Sequence, residues 1–197
     1  MQARTLFDFL MRLTRDYFSR EYFYYYEVQI PEGKDENLIE EKLKQVYEIT
    51  HHYEIRRRRK AKGEANCNVV IYNKKAIIVA TEGSHAEVEA REFKDIRETP
   101  LEISGYEIFI SGYIKRGIPK ATVRISPARY QKISKQVNQI GLHNKQKLIE
   151  YFNRLSPYSF SAINQQKFTL LRKVNKRRRK AGLPRIEWEN PKSFRAN

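Results

Sequence analysis

The chain is expected to fold as an α+β protein, with a small, mainly antiparallel sheet and two helices in the N-terminal half, followed by a basic three-helix C-terminal region. Three observations predict this. Short apolar runs flank polar turns through the first 125 residues, and helical spacing of apolar residues takes over after Ser126-Pro127. The composition, 40% hydrophobic and 12% aromatic with only 8 glycines and 7 prolines in 197 residues, is that of a chain that buries a core.

The elements follow in order. Leu6, Phe9, Leu10, Leu13 and Tyr17 recur at helical spacing within residues 4–20, which predicts an amphipathic helix. Glu21 to Ile30 is rich in aromatic and β-branched residues and stops at Pro31, as a strand does. Tyr22, Tyr24 and Tyr26 are assigned to one of its faces and Phe23, Tyr25 and Val28 to the other. An exposed tyrosine face could stack on unpaired bases, but the helices before and after favour a sheet covered on both sides. Asp35 is the expected N-cap of a helix reaching about Tyr47. Asn68–Tyr72 and Ala76–Ala80 read as a hairpin around Asn73-Lys74-Lys75.

Residues 82–102 are acidic and irregular. Leu101–Ile114 and Ile118–Ile125 are two further strands, with the near-repeated Ser104-Gly105-Tyr106 and Ser111-Gly112-Tyr113 read as bends in a long strand. Ser126 as N-cap and Pro127 at the first helical position then open a helix through Tyr130, Ile133, Val137 and Ile140, closed by Gly141. Helices at about 144–155 and 162–181 complete the chain, the last ended by Gly182 and Pro184. The boundary is expected at Ser126, separating an α+β scaffold (1–125) from a basic helical region (126–197), the two packed as one compact unit because the connection is too short for a tether.

Charge is the outlying term. The formal net charge is +16, yet residues 1–107 hold 18 Lys+Arg against 20 Asp+Glu, while residues 108–197 hold 21 against 3. A one-sided excess makes a docking face for a polyanion, which predicts a nucleic-acid partner, DNA or RNA. The longest apolar runs, such as Ala76–Ala80, are far below the roughly 20 residues of a membrane-spanning helix, and the polar composition of 164–182 leaves little apolar wedge for a membrane surface. Cys67 is the only cysteine, which excludes an internal disulfide and a thiolate-built zinc site. Arg4, Asp8, Arg12, Arg15 and Asp16 interrupt any secretory core, so a cytoplasmic location is expected.

Two clusters are the candidate nucleic-acid contacts. The last helix carries Lys167, Arg172, Lys173, Lys176, Arg177, Arg178, Arg179 and Lys180, with no acid between Asn164 and Arg185. Complementing its own dipole needs only one or two of these, so relief of their repulsion by phosphate is the expected role. The second cluster is Arg56, Arg57, Arg58, Arg59 and Lys60, expected on a loop or strand end because a strand would bury one unpaired cationic face. It could grip phosphates or pair with the acidic segment Glu82–Glu107.

An alternative is a metal-dependent nuclease using Glu82, Glu92, Lys94 and Asp95, an acid-x-Lys grouping that could hold Mg²⁺ near phosphate. Solvated charge generates such spacing often. No cofactor is expected otherwise: the glycine and lysine spacing of a nucleotide-binding loop is absent, and His51, His52, His85, His143 and Cys67 are too scattered to specify a metal site. A third reading is an accessory subunit of a mobile-element, plasmid or ribonucleoprotein assembly, whose helices meet protein partners.

Overall fold

The computed structural model describes residues 2–113 and 117–187. Ile114, the expected end of one strand, and Trp188–Asn197 lie outside them. The architecture is α+β, with seven α-helices and two small antiparallel sheets among the described residues. No helix among the described residues is long and apolar enough to cross a membrane. The chain divides into two compact units, the first comprising the described residues up to Leu101 with those of Ile108–Ala121, and the second comprising Glu102–Glu107 with the described residues from Thr122 onward.

In the first unit the expected N-terminal helix changes character twice. Helix α1 (Leu6–Met11) is capped by Thr5, whose Oγ1 accepts from Asp8 N, and it widens into a π-helical segment at Arg12–Tyr17 before a 3-10 turn at Phe18–Arg20. The Thr14 hydroxyl donates to the Leu10 carbonyl (2.8 Å), the back-bonding that loosens a helix at a threonine. Glu21, at φ 68°, ends the segment.

Strand β1 (Tyr24–Gln29) pairs antiparallel with β3 (Lys75–Ala80), β3 pairs with β2 (Cys67–Tyr72), and β4 (Lys94–Asp95) closes the far edge in the order β2-β3-β1-β4. The β2–β3 turn is tight because Asn73 and Lys74 both take positive φ (47° and 60°), which matches the twist of a two-residue hairpin. One face packs Val69, Ile71, Ile78 and Tyr47 with Ile39, Leu43 and Val46, on or beside α2 (Glu36–Val46), which is capped by Asp35. Val28 joins Tyr24 and Tyr26 on this face. Strict alternation requires that, so its assignment beside Phe23 and Tyr25 is corrected.

No tyrosine platform is left open on β1. Tyr26 stacks on Phe93 (5.5 Å), Arg97 lies over Phe23 (4.3 Å) and Tyr24, and Tyr25 is buried with its hydroxyl donating to Thr99 O (3.1 Å). The acidic 82–102 segment is therefore more ordered than expected. It contains α4 (Ala86–Glu89), and the two residues of β4 bind the sheet edge opposite Tyr24 and Tyr25. Cys67 is a free, buried thiol pushed up to about 12 by burial, which makes it unreactive.

The long strand expected from Leu101 is two strands. Ser104 (φ 50°) and Gly105 (φ 76°) form a hairpin turn between β5 (Leu101–Ile103) and β6 (Tyr106–Tyr113), and β7 (Pro119–Ile125) completes the order β5-β6-β7. In the second unit, α5 (Pro127–Ile140), α6 (Lys145–Arg154, capped by Asn144) and α7 (Ser161–Lys180) bury Ile133, Val137, Leu148, Phe152, Leu170 and Val174. Gln166 of α7 fixes this packing to the strand end: its Oε1 accepts from Ile125 N (2.8 Å) and its Nε2 donates to Ile125 O (3.0 Å).

Candidate nucleic-acid interface

Helix α7 does not present all eight expected cations to solvent. Lys167 and Arg178 are each only 4% exposed. Lys167 Nζ donates to Ser156 O (2.7 Å), just beyond α6, and burial pushes its ammonium below the ordinary lysine value. Arg178 donates from Nη1 to Gly141 O (2.6 Å) and from Nε to Pro184 O (2.8 Å), while Arg177 Nη1 reaches Asn138 O (3.2 Å). The last carbonyls of α5 have no partner within their own helix, and guanidinium donors at that negative dipole end supply one. Lys167 and Arg178 are thus corrected from phosphate contacts to internal ties. The signal was present in the sequence, since both continue the Ile163, Leu170, Val174 stripe at helical spacing.

The remaining cations, Arg172, Lys173, Lys176, Arg177, Arg179 and Lys180, are exposed. Arg172, Lys176 and Arg179 stand at i, i+4 and i+7 on one face and line a hollow of about 380 Å³ together with Arg185. Arg185 was not singled out from the sequence, and chain reversal puts it there. Gly182 takes φ 67°, Leu183 N closes a wide turn onto Arg178 O (2.9 Å), and Pro184 leads the chain back. Asn175 then clamps the returning backbone, its Oδ1 accepting from Ile186 N and its Nδ2 donating to Ile186 O, both at 2.9 Å.

Asn175→Ala is therefore expected to lower stability by about 1–3 kcal/mol, the cost of leaving two backbone groups unpaired at a buried Ile186. It should also weaken nucleic-acid binding through displacement of Arg185. Urea denaturation and fluorescence polarisation check the two effects, and unchanged values in both would remove the clamp from the interface.

A second basic groove of about 290 Å³ lies in the same unit, with Arg129 and Lys132 of α5 facing Tyr151 and Arg154 of α6. The Tyr151 hydroxyl donates to Gln136 Oε1, and the Arg129 guanidinium sits 4.7 Å above the Tyr106 ring.

In the first unit the Arg56–Lys60 cluster is helical, not a loop or a strand end. Helix α3 (Tyr53–Ala61) contains all five residues and has no buried member. Arginine and lysine are good helix formers, and a 3.6-residue period spreads them around the axis so that none is fully buried, the conflict that excluded a strand. Glu54 lies in the first turn and Arg58, Arg59 and Lys60 in the last, matching the helix dipole. Arg59 pairs with Glu48 (2.8 Å) and Lys60 with Glu21 (2.8 Å), so the internal partners are not the acidic segment Glu82–Glu107.

The four carboxylate and lysine candidates for catalysis do not converge on an open position. Glu82 and Asp95 both bind Arg97, at 2.9 and 2.6 Å. Burial works to raise the Asp95 carboxyl, but the Arg97 hydrogen bonds and charge prevail and hold it below the ordinary aspartate value. Lys94 Nζ lies 3.7 Å from Glu27, on the strand pair β1–β4, and Glu92 is exposed. Among the described residues no group of three or more His, Cys, Asp or Glu side chains is placed to hold a metal ion.

Comparison with protein families, with curated proteins and with solved structures finds no match.

Proposed function

We propose that the protein binds nucleic acid, in the cytoplasm, through the exposed face of α7 with Arg185, and that Arg57 and Arg58 of α3 offer a separate contact for phosphate. One observation carries the reading. Six exposed cations of α7 pair with no carboxylate among the described residues, and three of them surround a hollow to which the returning chain adds a fourth. Cations held this close without acids repel one another, and a row of phosphates relieves the repulsion while releasing condensed counterions. The fixed helix and the Asn175 clamp support the reading further, because they hold the donors in place before any partner arrives.

The test is the salt dependence of affinity for a duplex and a single strand of DNA and of RNA. With each neutralised phosphate contributing about −0.9 to the slope of log K against log salt on duplex DNA, engagement of most of the α7 cations predicts a slope on the order of −5. Affinity unchanged between 50 and 200 mM salt, roughly the range over which such contacts lose most of their strength, would exclude phosphate contact as its basis.

A further inference from the structure

The inner side of α3 borders a hollow of about 580 Å³ in the first unit, within the usual size range of small-molecule sites. Tyr53, Arg56, Arg57 and Lys60 line it at i, i+3, i+4 and i+7, the spacing that normally points an apolar stripe into a core. Here the stripe is cationic. Arg20, Tyr22 and Asn66 line the hollow as well. Glu21 also lines the hollow, but it is taken by Lys60 at 2.8 Å, and neither Arg20, Arg56 nor Arg57 has a carboxylate partner among the described residues.

Two buried polar atoms of this wall are unsatisfied, Arg56 Nε and Asn66 Oδ1. Asn66 is 5% exposed and its orientation is fixed, because Nδ2 donates to Arg56 O (3.1 Å) and the backbone N–H donates to Thr81 Oγ1 (2.9 Å). Turning the amide over would set two oxygens against each other. A buried donor and a buried acceptor left without partners on residues that line the same cationic hollow are costly to the free protein, and a ligand carrying both kinds of group would satisfy them after a side-chain adjustment that uncovers them. Tyr53 stands 65% exposed, with its ring available, while Tyr22 is buried in the wall.

We propose that this hollow is a site for one nucleoside monophosphate unit, whose phosphate is taken by Arg20, Arg56 and Arg57 and whose base stacks on Tyr53. Three guanidiniums more than offset the charge of a phosphate dianion and offer the forked donors its oxygens accept from, and an aromatic ring beside them supplies the face a base needs. Inorganic phosphate alone leaves most of the volume and the tyrosine unused. The unit is either a free nucleotide or the 5′-phosphorylated end of a strand. In the second case the proposal deepens the nucleic-acid reading above, by giving the protein a preference for ends.

Calorimetry with AMP, adenosine and inorganic phosphate tests the site, using the full chain and its Arg57→Ala, Tyr53→Ala and Lys42→Ala variants. All three positions are exposed, and circular dichroism verifies that each variant is folded. The expected result is one AMP per chain, bound at least tenfold more tightly than adenosine or phosphate. Arg57→Ala should weaken AMP at least tenfold and Tyr53→Ala about fivefold or more, the lower end of what stacking on one base is worth. Lys42→Ala, which removes one positive charge elsewhere in the unit, leaves AMP binding unchanged.

A dodecamer with a 5′ phosphate binding more tightly than its 5′-hydroxyl counterpart, with the difference lost in Arg57→Ala, assigns the unit to strand ends. Equal binding of the two dodecamers, with AMP still bound, assigns it to free nucleotide. AMP binding no tighter than phosphate, or unaffected by both Arg57→Ala and Tyr53→Ala, overturns the proposal. The salt slope on long duplexes reads the α7 face separately, so either reading can fail without the other.

Discussion

Arg178→Ala is expected to destabilise the protein by about 3–5 kcal/mol, whereas Arg179→Ala, one position along, changes stability by no more than about 0.5 kcal/mol. The two side chains belong to the same run of cations, but Arg178 is 4% exposed and ties Gly141 O and Pro184 O, while Arg179 faces solvent at the hollow shared with Arg185. Removing Arg178 leaves two carbonyls without their charged donor, each such bond being worth about 1.5–3 kcal/mol. Arg178→Lys should rescue little, since a single ammonium on a flexible stem does not reproduce the fork that reaches two carbonyls at once. Urea denaturation followed by circular dichroism measures the difference. Equal effects of the two alanine variants would mean that Arg178 is not an internal tie.

The complementary expectation concerns binding. The triple variant Arg172→Ala, Lys176→Ala and Arg179→Ala should keep its stability and lose affinity for nucleic acid by about 100-fold near physiological salt, with the salt slope reduced by about 3. These residues line one hollow on one face, so their removal withdraws adjacent phosphate contacts together. Sequence-tolerant contacts to phosphate predict the same fractional loss on unrelated sequences. Polarisation titrations at several salt concentrations measure both numbers. Full affinity with an unchanged slope would place the interface elsewhere on the molecule.

Most of the secondary structure was legible in local signals. Pro127 after Ser126, Asp35 and the Asn73-Lys74-Lys75 turn mark boundaries through backbone chemistry that acts within a few residues, and the helices and hairpin stand where those marks put them, except that Lys75 already belongs to β3. The exceptions share a cause. The N-terminal helix widens where Thr14 bonds back to Leu10, and the strand from Leu101 breaks where Ser104 takes a left-handed conformation ahead of Gly105. Both depend on a single residue competing with a periodic pattern that extends well past it. Helix α3 was misread for a different reason: the pattern rule asks which side is apolar, and this helix has no apolar side to find.

The net positive charge of residues 108–197, the near balance of charge before them and the α+β class were all determined by the sequence alone, because composition and short-range spacing carry them. The helical stripe of α7 marked Lys167 and Arg178 as inward-facing, but what holds them there, and which further cation joins the exposed ones, was decided by tertiary structure. Arg178 is withdrawn by a carbonyl 37 residues away, and Lys167 by one 11 residues away. Arg185 is added because Asn175 holds the returning chain against α7. A guanidinium has the same charge in either setting, but an unpaired helix-end carbonyl within reach fixes it internally, and such carbonyls are positioned by the packing of whole helices rather than by the residues beside the arginine.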